Sequence, residues 1–291
     1  MLRFTGTQNS NNYPAVEQGN VGEYLIVDTV QAKSHRDCYT PFARAWSERP
    51  THPNPLVTKL ETFAQLGAED IGAIEALSRN PKPYRAEQVL IHEGSSIGHV
   101  CLIVEGLACR YKLLPGGRRQ IMGYLIPGDL CDVHFVVFNK PDHSVALVGD
   151  STVVKIPTHK IMELIVRYPR IERALSLASL IDNAILREWL LNIGQRDALQ
   201  KLSHLFCEMS VRLKAIGRVH EDGSFDLPAN QVTLADTIGL TSVHINRTLQ
   251  RLRTDGLIRL RHRRLTILDM NRLAAIAGFD ESYLRMRRPL D

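Results

Sequence analysis

The sequence predicts an α+β chain in three parts: an N-terminal antiparallel β-roll of jelly-roll type, a long helix, and a C-terminal winged helix-turn-helix. Three observations predict it. Between Tyr84 and Ile156 short apolar runs alternate with turns rich in Gly, Pro, Asp and Asn, as in antiparallel rolls and barrels. From Arg170 to about Asn192, Leu177, Ile181, Ala184, Ile185 and Trp189 recur on or near one face of a long helix. Between Gln231 and Leu252 two shorter apolar stripes flank Gly239.

Length and composition bound the rest. A chain of 291 residues implies about two domains, and 44% hydrophobic with 23% charged residues is ordinary globular composition. The net charge of +5 and pI near 9.0 suit an anionic partner. Five cysteines without a C-x-x-C pair point to reduced thiols and a cytoplasmic location. No apolar run approaches the ~20 residues of a membrane span, and the N-terminus has no basic segment leading into an apolar core, so neither membrane nor secretion is expected. Gly-x-Ser-x-Gly, His-Glu-x-x-His, phosphate-binding Gly-rich loops and paired acid motifs are missing, and no enzyme activity is expected.

In chain order, residues 1–55 read as a flexible extension with a candidate strand at Tyr24–Val27, closed by the proline-rich 49–55. A roll domain is expected over 56–168. It begins with two short helices carrying Leu60, Phe63, Leu66, Ile71, Ile74 and Leu77. Strands follow at 88–92, 99–104, 107–113, 120–126, 133–138, 144–148 and 152–156. The long helix over 169–193 is more apolar than one small roll requires. It is either a packed core helix or one that pairs with its copy in a second subunit. Gly194 allows a hinge, another helix spans 195–216, the reader domain extends to 270, and 271–291 form a tail.

In the reader, Leu234, Ala235 and Ile238 make the first stripe, and Gly239 at the turn can take the left-handed conformation. Thr241 or Ser242 caps a second helix whose buried face is Ile245, Leu249 and Leu252. Such a pair is also a common packing unit. Its surroundings decide: residues 231–270 hold seven arginines, no lysine or glutamate, and three aspartates, and 257–268 read as a hairpin with a basic tip. Helix-turn-helix plus basic wing is the pattern of a major-groove reader.

The order of roll, long helix and winged helix-turn-helix resembles the Crp/Fnr family of bacterial transcription regulators over about Leu56–Leu268. The roll pieces are Glu93-Gly94, Ile103-Val104-Glu105-Gly106, Leu114-Pro115-Gly116-Gly117-Arg118-Arg119-Gln120 and Pro127-Gly128-Asp129-Leu130. The reader pieces are Leu234–Leu240, Asn246-Arg247 and Leu252. The resemblance implies a cyclic-nucleotide-binding-like sensor roll, a homodimer along the long helix, a near-palindromic site with half-sites about 34 Å apart, and RNA polymerase as a partner. Departures accompany it. Where family members hold cyclic nucleotide with Gly-Glu and Arg-Ser or Arg-Thr, this chain reads Asp132-Val133 and His143-Ser144, which opposes an anionic ligand. Residues 1–55 contain Cys38 alone, not the cysteine cluster that carries an iron–sulfur centre in the oxygen-sensing branch. The sensed signal stays open. Cys131, Asp132, His134, His143 and Ser144 are the candidate ligand-binding residues, with a metal or redox role as one reading and ordinary hydrogen bonding as the other. Cys101 and Cys109 read as buried small apolar groups.

For DNA, the amides at Thr241 and Ser242 meet phosphate. Arg247 is the leading base contact, able to donate two hydrogen bonds to guanine. Asn246 can read adenine, and Val243 can pack on a thymine methyl. Family members carry glutamate at the Val243 position, so a different half-site preference is expected. His244 either bonds DNA or packs the helix. Arg251, Arg253, Arg263 and Arg264 are expected on phosphates, or else form a solvated face. The alternative function is a ligand-sensing adaptor of the same fold that binds protein instead of DNA.

Overall fold

The computed structural model describes residues 52–131, 133 and 140–285. The extension over 1–51, with the strand expected at Tyr24–Val27, lies outside the described residues. So does nearly all of the strand expected over 133–138, of which Val133 alone is described and sits in a turn.

Helices α1 (Pro55–Glu61) and α2 (Ala68–Leu77) open the fold. Asn54 starts α1 by accepting a hydrogen bond from the Leu56 amide at 3.0 Å, and Pro55 occupies the first turn, where a missing N–H costs nothing. Seven strands follow: β1 (Lys82–Tyr84), β2 (Val89–Ile91), β3 (His99–Glu105), β4 (Ala108–Leu113), β5 (Arg119–Leu125), β6 (Ser144–Leu147) and β7 (Ser151–Pro157). They form two antiparallel sheets, β1-β7-β3 and β2-β6-β4-β5. The last six match the expected strands to within a residue at either end. Three-residue β1 has no alternation to announce it and exists by pairing with the edge of β7.

Period-two alternation gives the roll two cores. Cys101 and Ile103 of β3 face inward with Leu125, Val145, Leu147 and Val153. Val100 and Leu102 face outward and are covered by Leu56, Val57 and Leu60 of α1 and by Ile161, Ile171 and Leu175 of the helices after the roll. Each such side chain, fully buried, contributes about 1.5–3 kcal/mol. Gly128 holds the roll against α1. Its φ is +90°, and a Cβ there would come within 2.4 Å of the Pro55 carbonyl oxygen. The turn can therefore lie against the helix, which brings Asp129 to Lys59.

After the roll come α3 (Thr158–Arg167), α4 (Pro169–Gln195) and α5 (Ala198–Ala215). Ile181, Ile185 and Trp189 of α4 are buried, while Leu177 and Ala184 are half-buried. Asp197 and Gln200 cap α5 reciprocally, each side chain accepting from the other's amide at 2.9 and 3.0 Å. The reader comprises β8 (Ser224–Asp226), α6 (Gln231–Ile238), α7 (Ser242–Thr254), β9 (Ile258–Arg261) and β10 (Arg264–Ile267), with strand order β8-β10-β9.

The tail expected over 271–291 is corrected. Its described part folds as α8 (Met270–Ala277) and a 3-10 turn at Glu281–Leu284. Asp269 caps α8 by accepting from the Arg272 amide at 3.0 Å, and Leu273, Ala274, Ala277, Phe279 and Leu284 are buried, with α8 packed on α5. Eight residues give the apolar stripe barely two turns, too short to stand out by periodicity.

Candidate nucleic-acid interface

The local chemistry of 230–254 makes two helices at a fixed angle. The Asn230 side chain accepts from the Thr233 amide at 2.8 Å and starts α6. Gly239 ends it in the left-handed region, φ 68° and ψ 36°, with the Leu240 amide bonded back to the Ala235 carbonyl at 3.1 Å. A side chain at that φ costs roughly 1 kcal/mol or more. Thr241 caps α7, its hydroxyl lying 3.4 Å from the His244 amide and 3.0 Å from His244 Nδ1, so Ser242 is the first helical residue. Leu234, Ala235 and Ile238 are buried, as are Ile245, Leu249 and Leu252, the faces the spacing predicts.

The opposite face of α7 is open. Thr241, Val243, His244, Asn246, Arg247, Gln250, Arg251 and Arg253 are exposed, and Ser242 is half-buried. His244 is engaged with its own helix cap instead of packing between helices. The wing turns at His262 and Arg263, both at positive φ (49° and 60°), a two-residue connection between β9 and β10. Arg263 and Arg264 are exposed. Arg264 Nε lies 3.4 Å from Asp226 Oδ1, and Arg251 Nε lies 3.7 Å from Asp255 Oδ2. Arg247, Arg253 and Arg263 form no ion pair among the described residues, so their charge is the more available. A cavity of ≈ 260 Å³ opens between the start of α6, α7 and the wing, lined in part by Asn230, Gln231, Arg253 and Arg263.

The described candidate ligand residues are not assembled in this way. Asp132 and His134 lie outside the described residues. Cys131 is buried in the roll core. His143 Nδ1 is 2.8 Å from Asp142 Oδ1, and the Ser144 hydroxyl accepts from the Glu93 amide at 3.0 Å. Among the described residues no three His, Cys, Asp or Glu side chains converge as a metal site.

Sequence reasoning misses the contact between roll and reader. Arg119 of β5 donates from Nε and Nη2 to Asp236 Oδ2 of α6, both at 2.8 Å. Gln120 Nε2 donates to the Thr237 carbonyl at 3.2 Å, and the Tyr124 and Thr237 hydroxyls share a hydrogen bond of 2.6 Å. Behind them runs a buried chain of charge. Lys59 pairs with Asp129, whose other oxygen lies 3.2 Å from Arg212 Nη2 of α5. Arg212 also reaches the Tyr124 carbonyl at 2.9 Å and Glu208 Oε1 at 3.2 Å. Glu208 accepts in addition from Trp189 Nε1 and the Tyr283 hydroxyl, each at 3.0 Å. Burial raises the Glu208 carboxyl above its usual range, and Arg212 opposes that shift. The available signal is Glu208 and Arg212 at i and i+4 on a helix whose other central positions are almost all apolar or small.

Comparison with known proteins agrees with this architecture. The cyclic nucleotide-binding domain family matches residues 81–168, and the Crp-like helix-turn-helix domain family matches residues 200–276. The chain is 28% identical to the transcriptional activator protein FnrL of Cereibacter sphaeroides over 225 residues, 75% of this chain and 88% of that protein. It is 27% identical to the nitrogen fixation regulation protein FixK of Bradyrhizobium diazoefficiens, over 74% of this chain and 89% of that one. Among solved structures, FixK2 from Bradyrhizobium japonicum superposes with a TM-score of 0.60 at 20% identity, covering 69% of this chain and 98% of that chain, a likeness of fold. With roll, long helix and winged reader in the same order, the chain belongs to the Crp/Fnr family, and is a transcription regulator with a helix-turn-helix DNA-binding domain, not an enzyme.

Proposed function

We propose that the protein is a homodimeric, sequence-specific regulator that lays α7 in the major groove of a near-palindromic site. The observation that carries this reading is the open face of α7, where Val243, Asn246, Arg247 and Gln250 project between a hydroxyl-capped N-terminus and an arginine wing. Arg247 reads guanine, Asn246 adenine, and Val243 a thymine methyl. Arg253 and Arg263, framing the cavity beside α6, hold phosphate, while Arg251 and Arg264 do so after release from Asp255 and Asp226.

The dimer reading rests on α4. Leu180, Leu186, Leu190 and Leu191 are 63%, 50%, 74% and 45% exposed, more apolar surface than a solitary helix leaves in water. A two-fold axis along α4 covers it and presents two readers to half-sites about 34 Å apart. The roll does not take an anionic cyclic nucleotide in this reading. In sequence, Asp132-Val133 and His143-Ser144 occupy the positions where family members hold cyclic nucleotide with Gly-Glu and Arg-Ser or Arg-Thr, and the Ser144 hydroxyl accepts from the Glu93 amide. Nor does it carry an iron–sulfur cluster, for want of an N-terminal cysteine cluster. Relatives named as transcriptional activators support RNA polymerase as a partner and the cytoplasm as the place of action.

Repeated selection from a pool of random duplexes tests the function. A two-fold repeated motif should emerge at ordinary salt. A pool that stays random while the protein binds another protein tightly would favour the adaptor instead.

A further inference from the structure

Two cysteines in the roll interior face each other. Cys101 lies on β3, and Cys131 lies just past the Pro127–Leu130 turn. The Cys131 amide donates to the Cys101 carbonyl at 2.7 Å, the Ile103 amide donates to the Asp129 carbonyl at 3.0 Å, and Leu102 bridges Leu130 in antiparallel register. That register sets the cysteines directly opposite. Cα atoms in such a pair are about 5.5 Å apart, inside the roughly 4.4–6.8 Å that a disulfide spans. Both side chains belong to the same buried cluster, and the Cys131 thiol hydrogen-bonds the Cys101 sulfur. His99, two residues earlier on the same face of β3, has its Nε2 buried with no hydrogen-bond partner.

We propose that Cys101 and Cys131 are a redox-active dithiol, which a hydroperoxide converts to an intramolecular disulfide and a dithiol reductant restores. Cys101 is the attacking group. The Cys131 hydrogen bond, then His99 and Lys155, hold its thiol below the ordinary value against the opposing effect of burial. Burial pushes Cys109 the other way, to about 11, and raises Cys207 as well.

The Cys101 thiolate attacks an oxygen of ROOH, the O–O bond breaks, and ROH leaves with a proton, giving a sulfenic acid. The Cys131 sulfur attacks that sulfur, the S–O bond breaks, and water leaves with the Cys131 proton. In sum, two thiols and ROOH give a disulfide, ROH and water; the thiols lose two electrons and the peroxide gains them. Both residues are 0% exposed, so the opposed Cys131 reaches the sulfenic acid sooner than any thiol from solution, while a small peroxide and, more slowly, a dithiol reductant enter at local openings of the roll. The bond forms two residues from Asp129, beside the contact of the roll with Arg212 of α5.

Thiol mapping of the full chain tests the assignment. The reduced protein is treated with a small excess of hydrogen peroxide, unfolded, alkylated and digested. Alkylatable thiols should fall by two from five, with a cross-linked peptide joining Cys101 to Cys131, and dithiothreitol should return both. Five alkylatable thiols, a different cysteine pair, or Cys101 driven to sulfinic acid without a cross-link would overturn it. Cys131→Ser should trap the sulfenic acid on Cys101, which dimedone added together with denaturant then labels. If that variant does not fold, Cys131→Ala, which leaves no buried hydroxyl, replaces it. No dimedone adduct at Cys101 in a folded variant also overturns the assignment.

Discussion

Replacing Arg212 by methionine keeps the bulk of the side chain in α5 and removes the charge between roll and reader. Arg212 is 3% exposed and bonds Asp129, Glu208 and the Tyr124 carbonyl. Losing one member of a buried ion pair costs about 3–5 kcal/mol, because the partner charge is left behind. Here the loss sits at the lower end, about 3 kcal/mol. Lys59 still neutralises Asp129, and Trp189 and Tyr283 still donate to Glu208. At about 2–4 °C per kcal/mol for a domain of this size, the midpoint of thermal unfolding should drop by roughly 6–12 °C.

The deficit should also depend on pH. Glu208 has a folded pKa raised by burial, so between the unfolded and folded values the native state binds more protons, and stability falls as pH rises through that window. Arg212 opposes the shift, so its removal widens the window upward. The Arg212→Met deficit should shrink as the pH is lowered toward the ordinary glutamate range. Denaturant titrations at several pH values measure this. A deficit below about 1 kcal/mol, the size of an exposed pair, would refute the reasoning, as would a deficit that grows on acidification.

Three further outcomes are expected. Arg247→Ala should lose about 1–3 kcal/mol of discrimination at one base pair per half-site with little loss on scrambled duplex; fluorescence anisotropy on matched and single-base-changed duplexes measures it, and equal losses on both would contradict base reading. Arg263→Ala with Arg264→Ala should weaken every duplex alike and flatten the salt dependence by up to about two phosphate contacts per subunit. Most of that loss should follow Arg263, since Arg264 already faces Asp226. Leu190→Asp, at a position 74% exposed in a single subunit, should leave thermal stability within about 1 kcal/mol and convert the proposed dimer to monomers in sedimentation. A dimer that survives would move the two-fold interface elsewhere.

What is legible in the sequence is local. The reader's helices are written in Asn230, Gly239 and Thr241 and in stripes three and four residues apart, so Ile245, Leu249 and Leu252 can be assigned to the buried face. Six strands of the roll lie in apolar runs bounded by turn residues and can be read. Strands β1 (Lys82–Tyr84) and β8 (Ser224–Asp226) are not apolar runs and depend on a distant partner. The contact between roll and reader is illegible for the same reason. Arg119 and Asp236 are 117 positions apart, and nothing near either marks the other. Cys101 reads in the sequence as a buried apolar group; it is buried, but its reactivity depends on Cys131, which reaches it only through the Leu102–Leu130 bridge. Asp129 is legible as part of a turn, whereas its role as the acceptor for Lys59 and Arg212 needs the packing of α1 and α5 around it.

In the proposed complex α7 reads base edges from the major groove. Methylation interference on a selected duplex tests it most directly, because the reagent modifies guanine N7 in the major groove and adenine N3 in the minor groove. Methylated guanine N7 should block binding at one position in each half-site, the two about one helical turn apart, and Arg247→Ala should abolish that block. Interference confined to adenine N3, or a guanine block unchanged in Arg247→Ala, would contradict the claim.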